Sequence, residues 1–226
     1  MEHLKKRLNQ LLEKKIELDN YLAKQLPKSI LQEAIQGKLV PQIAEEGTAQ
    51  ELLEQIKVEK QKLVKEGKLK KSSLNGSVIF RGGDSRYYEQ IGKKCLDITD
   101  EIPFDIPENW QWIKLDQGIS LLSGRDLEPS QYNDLHHGIP YITGASNFVN
   151  SNLIINRWTE APITISNKGD LLLTCKGTIG SMAFNDIGQI HIARQVMAIT
   201  SYGIELKYIK CFLQSNLSIL EKMQIV

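Results

Sequence analysis

At 226 residues the chain is long enough for one to two domains of about 150 residues each and for a sizeable core. Hydrophobic residues at 41% and charged residues at 24% exclude a disordered, collagen-like or membrane-spanning chain, and no apolar run approaches the ~18 residues of a span. A net charge of +1 excludes a strongly basic nucleic-acid coat, although not DNA binding helped by a partner.

The opening Met1-Glu2-His3-Leu4-Lys5-Lys6 shows no apolar stretch, and no small-residue cleavage site follows, so neither leader nor anchor is expected and the cytoplasm is the expected location. Residues 1–72 carry 15 basic and 11 acidic residues, for +4, with Tyr21 as their one aromatic; the remainder sums to −3. Leu4, Leu8, Leu11, Leu18 and Leu22 recur in steps of three and four, broken by Lys15 and widened by Leu12 and Ile16. This predicts an amphipathic helix of about 20 to 25 residues. Pro27 and Ser29 punctuate it, and Ile30, Leu31, Ala34 and Ile35 predict a short helical turn ending at Gly37. After a loop at Pro41 to Gly47, Thr48 with Glu51 reads as a capping box, because each side chain satisfies an unpaired backbone N–H at a helix start. Leu52, Leu53, Ile56 and Leu63 give the second helix its apolar face, and Gly67 stops it. Neither stripe can be buried alone. A hairpin packed on a domain and a long strut that docks partners fit the pattern equally.

Residues 73–102 read as linker, with Gly76, Gly82, Gly83 and Gly92, mixed charge, and one short strand at Ser77 to Phe80. From Trp110 the texture becomes short β-branched and aromatic runs. Strands are expected at Trp110 to Leu115, Ile139 to Ile142, Leu153 to Trp158, Asp170 to Cys175, Ser181 to Asn185 and Ile190 to Thr200. A last helix follows through Leu206, Ile209, Leu213, Leu217 and Leu220. The fold class is α+β: long amphipathic helices as a coiled-coil-like spacer in residues 1–72, then residues 103–226 as a domain with a twisted mixed sheet and flanking helices.

Several of these strings together resemble one family. LPKSILQEAIQGKLVPQ (Leu26 to Gln42) and AQELLEQIKVEKQKLVKEGKLKK (Ala49 to Lys71) closely resemble the helical region of DNA-specificity subunits of type I restriction-modification systems. ITDEIPFDIPENWQWIKL (Ile98 to Leu115), GIPYITGASNF (Gly138 to Phe148), KGDLLLTCKGTIGSMAF (Lys168 to Phe184) and HIARQVMAI (His191 to Ile199) are similar to segments of that family's target recognition domain. The resemblance covers nearly the whole chain. It implies a non-catalytic reader of double-stranded DNA that binds adenine methyltransferase subunits and, through the complex, a translocating nuclease subunit. Family members carry two recognition domains and two helical regions, whereas this sequence has one of each, so a half or truncated subunit with a recognition domain incomplete at its C-terminus is implied. A homodimer, or pairing with another specificity subunit, would rebuild the two-domain reader, and symmetric pairing would predict a palindromic split site. The runner-up reading is an assembly protein that docks methyltransferase subunits without reading DNA.

The expected DNA-binding residues lie in loops of the second region: Arg125, Asn147, Arg157, Lys176, Thr178, Arg194 and Gln195. Arginine suits guanine O6 and N7, glutamine suits adenine N6 and N7, and Lys176 with Thr178 in the Lys176 to Gly180 loop suits phosphate. A tight turn explains that loop as well, and a carboxylate within the domain is an alternative partner for Arg194. Arg157 beside Trp158 places a cation near an aromatic face, although a tryptophan there also suits the core. Asp134, His136 and His137 lack the spacing of a metal site, and Cys95, Cys175 and Cys211 have no C-x-x-C spacing, so free thiols and no metal are expected. No phosphate-binding loop, nucleophile elbow or methyl-transfer signature is present, and no cofactor is expected on this chain. Asp186 with Glu205 and Lys207 mimics a nuclease triad, but the latter two fall on the predicted last helix.

Overall fold

The computed structural model describes residues 2–219, excepting the side chains of residues 2–5, 8–10, 24 and 44. The side chains of Leu4 and Leu8, and all of Leu220, therefore lie outside the described residues. Helix α1 (Glu2–Ile35) runs unbroken through Pro27, where a break was expected. Its last turns are anchored: Ile35 is buried, the Tyr208 hydroxyl donates to the Ile35 carbonyl (3.0 Å), and Ser215 Oγ donates to Gln32 Oε1 (2.9 Å). That packing outweighs the single hydrogen bond the proline removes. Upstream, Leu11, Leu12, Ile16, Leu18, Tyr21, Leu22, Leu26 and Ile30 are all exposed.

Gly37 ends the helix in the left-handed region (φ 68°), and a Cβ there would sit 2.8 Å from Pro107 and 2.9 Å from Trp110. Helix α2 (Ala49–Lys65) has the expected capping box, with Thr48 Oγ1 accepting from Glu51 N and Glu51 Oε2 accepting from Thr48 N. It packs on the second region: Ile56 is buried, and Ile56 and Leu52 both approach Gly203. Lys60 lies over the Tyr202 ring and donates to the Gln117 carbonyl.

The stretch read as linker contains an antiparallel meander, β1 (Val78–Arg81), β2 (Tyr87–Ile91) and β3 (Lys94–Asp97). Glu89 points from β2 to the covered side, where Lys114 meets it at 3.4 Å. Residues 110–114 form no strand, contrary to expectation, and lead to the short helical turn α3 (Leu115–Gly118).

The remaining strands are β4 (Ile119–Ser123), β5 (Ile139–Ile142), β6 (Phe148–Val149), β7 (Asn152–Leu153), β8 (Trp158–Thr159), β9 (Ile165–Ser166), β10 (Leu171–Thr174), β11 (Met182–Phe184), β12 (Ile190–Ile192) and β13 (Val196–Ser201), before α4 (Leu206–Ser215). Eight of them build two four-stranded sheets instead of the single mixed sheet expected, and β6 pairs with β7 in a separate antiparallel hairpin. One, ordered β11-β10-β13-β4, is antiparallel throughout. The other, β8-β5-β12-β9, is mixed through the parallel pair β5 and β12. Leu172, Val196 and Ala198 of the first sheet meet Ile142, Ile190 and Ile192 of the second in one buried cluster. On the far side of the first sheet, Leu171, Met182 and Ile199 are covered by Ile209 and Leu213 of α4. Burial on both faces explains why Leu171 to Leu173 shows no alternation.

Two expected strands are divided. Leu153 to Trp158 is strand only at its ends, and Ile190 to Thr200 breaks at Ala193 to Gln195, where Val196 N donates to the Ala193 carbonyl (2.9 Å) and the chain turns from one sheet into the other.

Candidate nucleic-acid interface

The β12–β13 turn is where loops distant in sequence meet. Arg125 N donates to the Ile192 carbonyl (2.9 Å) and Gly124 N to the Val196 carbonyl (3.1 Å), which brings the segment after β4 onto the turn. A Cβ on Gly124 would lie 2.1 Å from the Ala193 carbonyl oxygen, so only glycine permits that approach. From β5, Ile142 O accepts from Ala193 N (2.9 Å), and Gly144 lies beneath the Gln195 side chain. From β10, Cys175 N donates to the Gln195 carbonyl (2.9 Å). Four segments, 123–126, 143–144, 175–176 and 193–195, thus form one rim.

Three buried groups hold the rim from below. His191 is fully buried; its Nδ1 accepts from Thr164 N (3.1 Å), which leaves Nε2–H to donate to the Arg125 carbonyl (2.9 Å). Burial, the largest influence, lowers its pKa below the ordinary histidine value and favours this neutral tautomer. Tyr141 packs against the His191 ring at 4.8 Å, and its hydroxyl accepts from Leu127 N (3.3 Å). Thr174 Oγ1 accepts from Ser181 N (2.9 Å) and shapes the loop carrying Lys176 and Thr178. Gly180 in that loop has φ 88° and lies against Leu217, while Gly177 takes φ 73° in open space. Burial pushes the Cys175 thiol up, so it stays protonated at the rim.

Of the expected DNA-binding residues, Arg125, Lys176, Thr178, Arg194 and Gln195 are exposed at or beside this rim. Arg194 meets Asp126, with Nε 2.7 Å from Oδ2, so the intradomain carboxylate anticipated as its alternative partner exists. Asn147 is a correction. It is fully buried; its Oδ1 accepts from Thr143 N, Thr143 Oγ1 and Gly144 N, and its Nδ2 donates to the Ile154 carbonyl and Asn156 Oδ1. It shapes the loop and presents nothing to a duplex. Arg157 lies over Tyr132 (6.0 Å), while the Trp158 face is occupied by His136, stacked at 3.8 Å. Trp158 therefore offers no open stacking platform on that face.

Trp110 donates to Gln42 Oε1 (2.9 Å) and packs edge-on against Tyr208, which burial pushes up to about 12. Glu205 accepts from Lys207 N as the cap of α4, which removes it from the nuclease-like trio. Among the described residues no three His, Cys, Asp or Glu side chains cluster as metal ligands. Sequence reasoning missed the roles of His191 and Asp126. The first was visible as a lone polar residue between Ile190 and Ile192, and the second was legible only as one of the donors and acceptors of the Ser123 to Asp126 loop, not as the partner of Arg194.

No family model matches the chain. It is 40% identical over 101 residues to the specificity subunit of the type I restriction enzyme EcoEI of Escherichia coli, and 39% identical over 100 residues to that of EcoAI from the same organism. Each match covers 44% of this chain and only 14% of the relative's length. A crystal structure of the HsdS subunit from Thermoanaerobacter tengcongensis superposes with a TM-score of 0.51 at 24% identity, covering 55% of this chain and 32% of that one, a likeness of fold.

Proposed function

We propose that this chain, similar over 44% of its length to specificity subunits of type I restriction enzymes, reads the sequence of double-stranded DNA through its rim of loops. The observation that carries the reading is the convergence of four loops on the β12–β13 turn, with Arg125, Lys176, Arg194 and Gln195 exposed together. A rigid sandwich that holds a few cationic and amide side chains on locked backbone is what base readout requires, since phosphate contacts position a reader and base contacts specify. In this reading the protein has no catalytic residue or cofactor of its own. Adenine methyltransferase subunits and, through them, a translocating nuclease subunit act at the site it selects. Helix α1, with eight exposed large apolar side chains among its described residues, serves as the coiled-coil-like spacer and docking element, pairing with methyltransferase subunits, a second copy or another specificity subunit. No described helix is long and apolar enough to cross a membrane, and the proposed setting is the cytoplasm.

The deciding experiment is selection from a pool of randomised duplexes by the full chain, alone and co-expressed with an adenine methyltransferase subunit. The expected result is a motif enriched by the mixture and only weak binding by the chain alone. Equal binding of all duplexes by the mixture overturns the reading and leaves an assembly protein.

A further inference from the structure

Resting on the DNA-reading proposal, we propose that Asp126 is a positioning residue that sets Arg194 as a reader of guanine, so that the recognised sequence contains a guanine contacted by this arginine.

Asp126 is itself immobilised from both sides. Its predecessor Arg125 is tied through N to Ile192 and through its carbonyl to His191, and its successor Leu127 is buried with its N–H on the Tyr141 hydroxyl. The carboxylate then divides its oxygens over one partner residue. Oδ1 accepts from the Arg194 backbone N–H (3.1 Å), while Oδ2 lies 2.7 Å from the guanidinium Nε. Backbone and head of the same arginine are thus referred to one fixed carboxylate.

Stability does not account for this arrangement. The Arg194 and Asp126 side chains are 67% and 46% exposed, and ion pairs at that exposure contribute little to folding. The Asp126 contact engages Nε, and the two terminal nitrogens, Nη1 and Nη2, have no hydrogen-bond partner among the described residues, so that edge of the guanidinium remains free for an outside acceptor. Guanine presents O6 and N7 side by side in the major groove, and a planar fork with a pre-set direction matches them with little ordering cost. A carboxylate at a DNA-facing rim also repels phosphate, so Asp126 lowers affinity for every duplex while it sharpens the choice among them.

Those two effects have opposite signs, which makes the proposal testable in the same duplex selection, followed by binding to the selected motif and to its single-base variants. Asp126→Asn is expected to raise affinity for non-cognate DNA while discrimination at one guanine falls about 5- to 100-fold, the range of one bidentate base contact. Arg194→Lys, which keeps the charge and lacks the fork, is expected to lose discrimination at that same guanine. General damage to the fold would lower both affinities together. If Asp126→Asn melts early, Arg194→Lys carries the test with Asp126 in place. A wild-type motif unchanged in Arg194→Lys, or full discrimination retained by a folded Asp126→Asn, overturns the inference and leaves the DNA-reading proposal standing. A wild-type chain that selects no motif with its methyltransferase subunit overturns both.

Discussion

His191 Nε2 lies 2.9 Å from the Arg125 carbonyl oxygen, a part-buried hydrogen bond between residues 66 apart that joins the core of the mixed sheet to the exposed loop after β4. Its opposite nitrogen accepts from Thr164, so the ring must stay neutral. Burial, the largest influence, lowers the histidine below its ordinary value of 6.5, against the opposing pull of the Arg125 and Thr164 backbone contacts and the Asp126 charge. The unfolded chain therefore takes up a proton as pH falls through 6.5 while the folded chain does not. Stability is full above that value and declines from there down to the depressed folded value. Thermal melting followed through this window should show the decline, and His191→Gln should remove that part of it while costing about 1–3 kcal/mol at neutral pH.

Gly124 and Gly144 both border the rim but should respond differently to alanine. The Gly124 Cβ would meet backbone at 2.1 Å, and the expected cost is about 1–3 kcal/mol in urea denaturation. The Gly144 Cβ would meet the far end of the Gln195 side chain, which can swing away. Gly144→Ala should therefore keep near-native stability and alter base preference.

Asn147→Ala should destabilise the fold by about 1–3 kcal/mol or more, because the Thr143 and Gly144 donors and the Ile154 carbonyl lose a buried partner. A variant that melts normally and binds DNA poorly would return Asn147 to the surface as a reader.

Lys176→Ala should weaken binding to cognate and non-cognate duplexes alike and reduce the salt slope by about one phosphate contact. Titrations at several salt concentrations separate this outcome from the base-selective loss expected at Arg194.

Replacing Leu18 and Leu22 by glutamate should leave melting of the isolated chain nearly unchanged, because both side chains are more than half exposed. Co-purification with a methyltransferase subunit, or self-association in sedimentation, should be lost. A fall in melting temperature instead would show that the stripe is buried within a single chain.

The α+β order was legible because its signals are local. Thr48 and Glu51 cap a helix through their own side chains, Gly37 and Gly67 stop helices where φ must be positive, and the glycine-marked loops fall between real strands. The failures trace to distant contacts. Pro27 reads as a break until α4 holds Ile35 in place. The meander is masked because Glu89 fills a covered position that the period-two pattern assigns to an apolar residue, made tolerable by Lys114. The turn at Ala193 contains neither glycine nor proline, and its bend depends on Gly124, some seventy positions earlier. Exposure of Arg194 was readable from type, whereas burial of Asn147 depended on a web of backbone donors that composition does not reveal.

At the β12–β13 turn every backbone attachment is made by main-chain atoms or by a neighbour's side chain: Ala193 to Ile142, Arg194 to Asp126, Gln195 to Cys175, Val196 to Ala193. None of these hydrogen bonds uses the side chains of Arg194 or Gln195. The turn is therefore a socket that tolerates exchange of its two outward residues without disturbing the sandwich beneath, and on the DNA-reading proposal a change of base preference would need only those two adjacent positions while the architecture stays as it is.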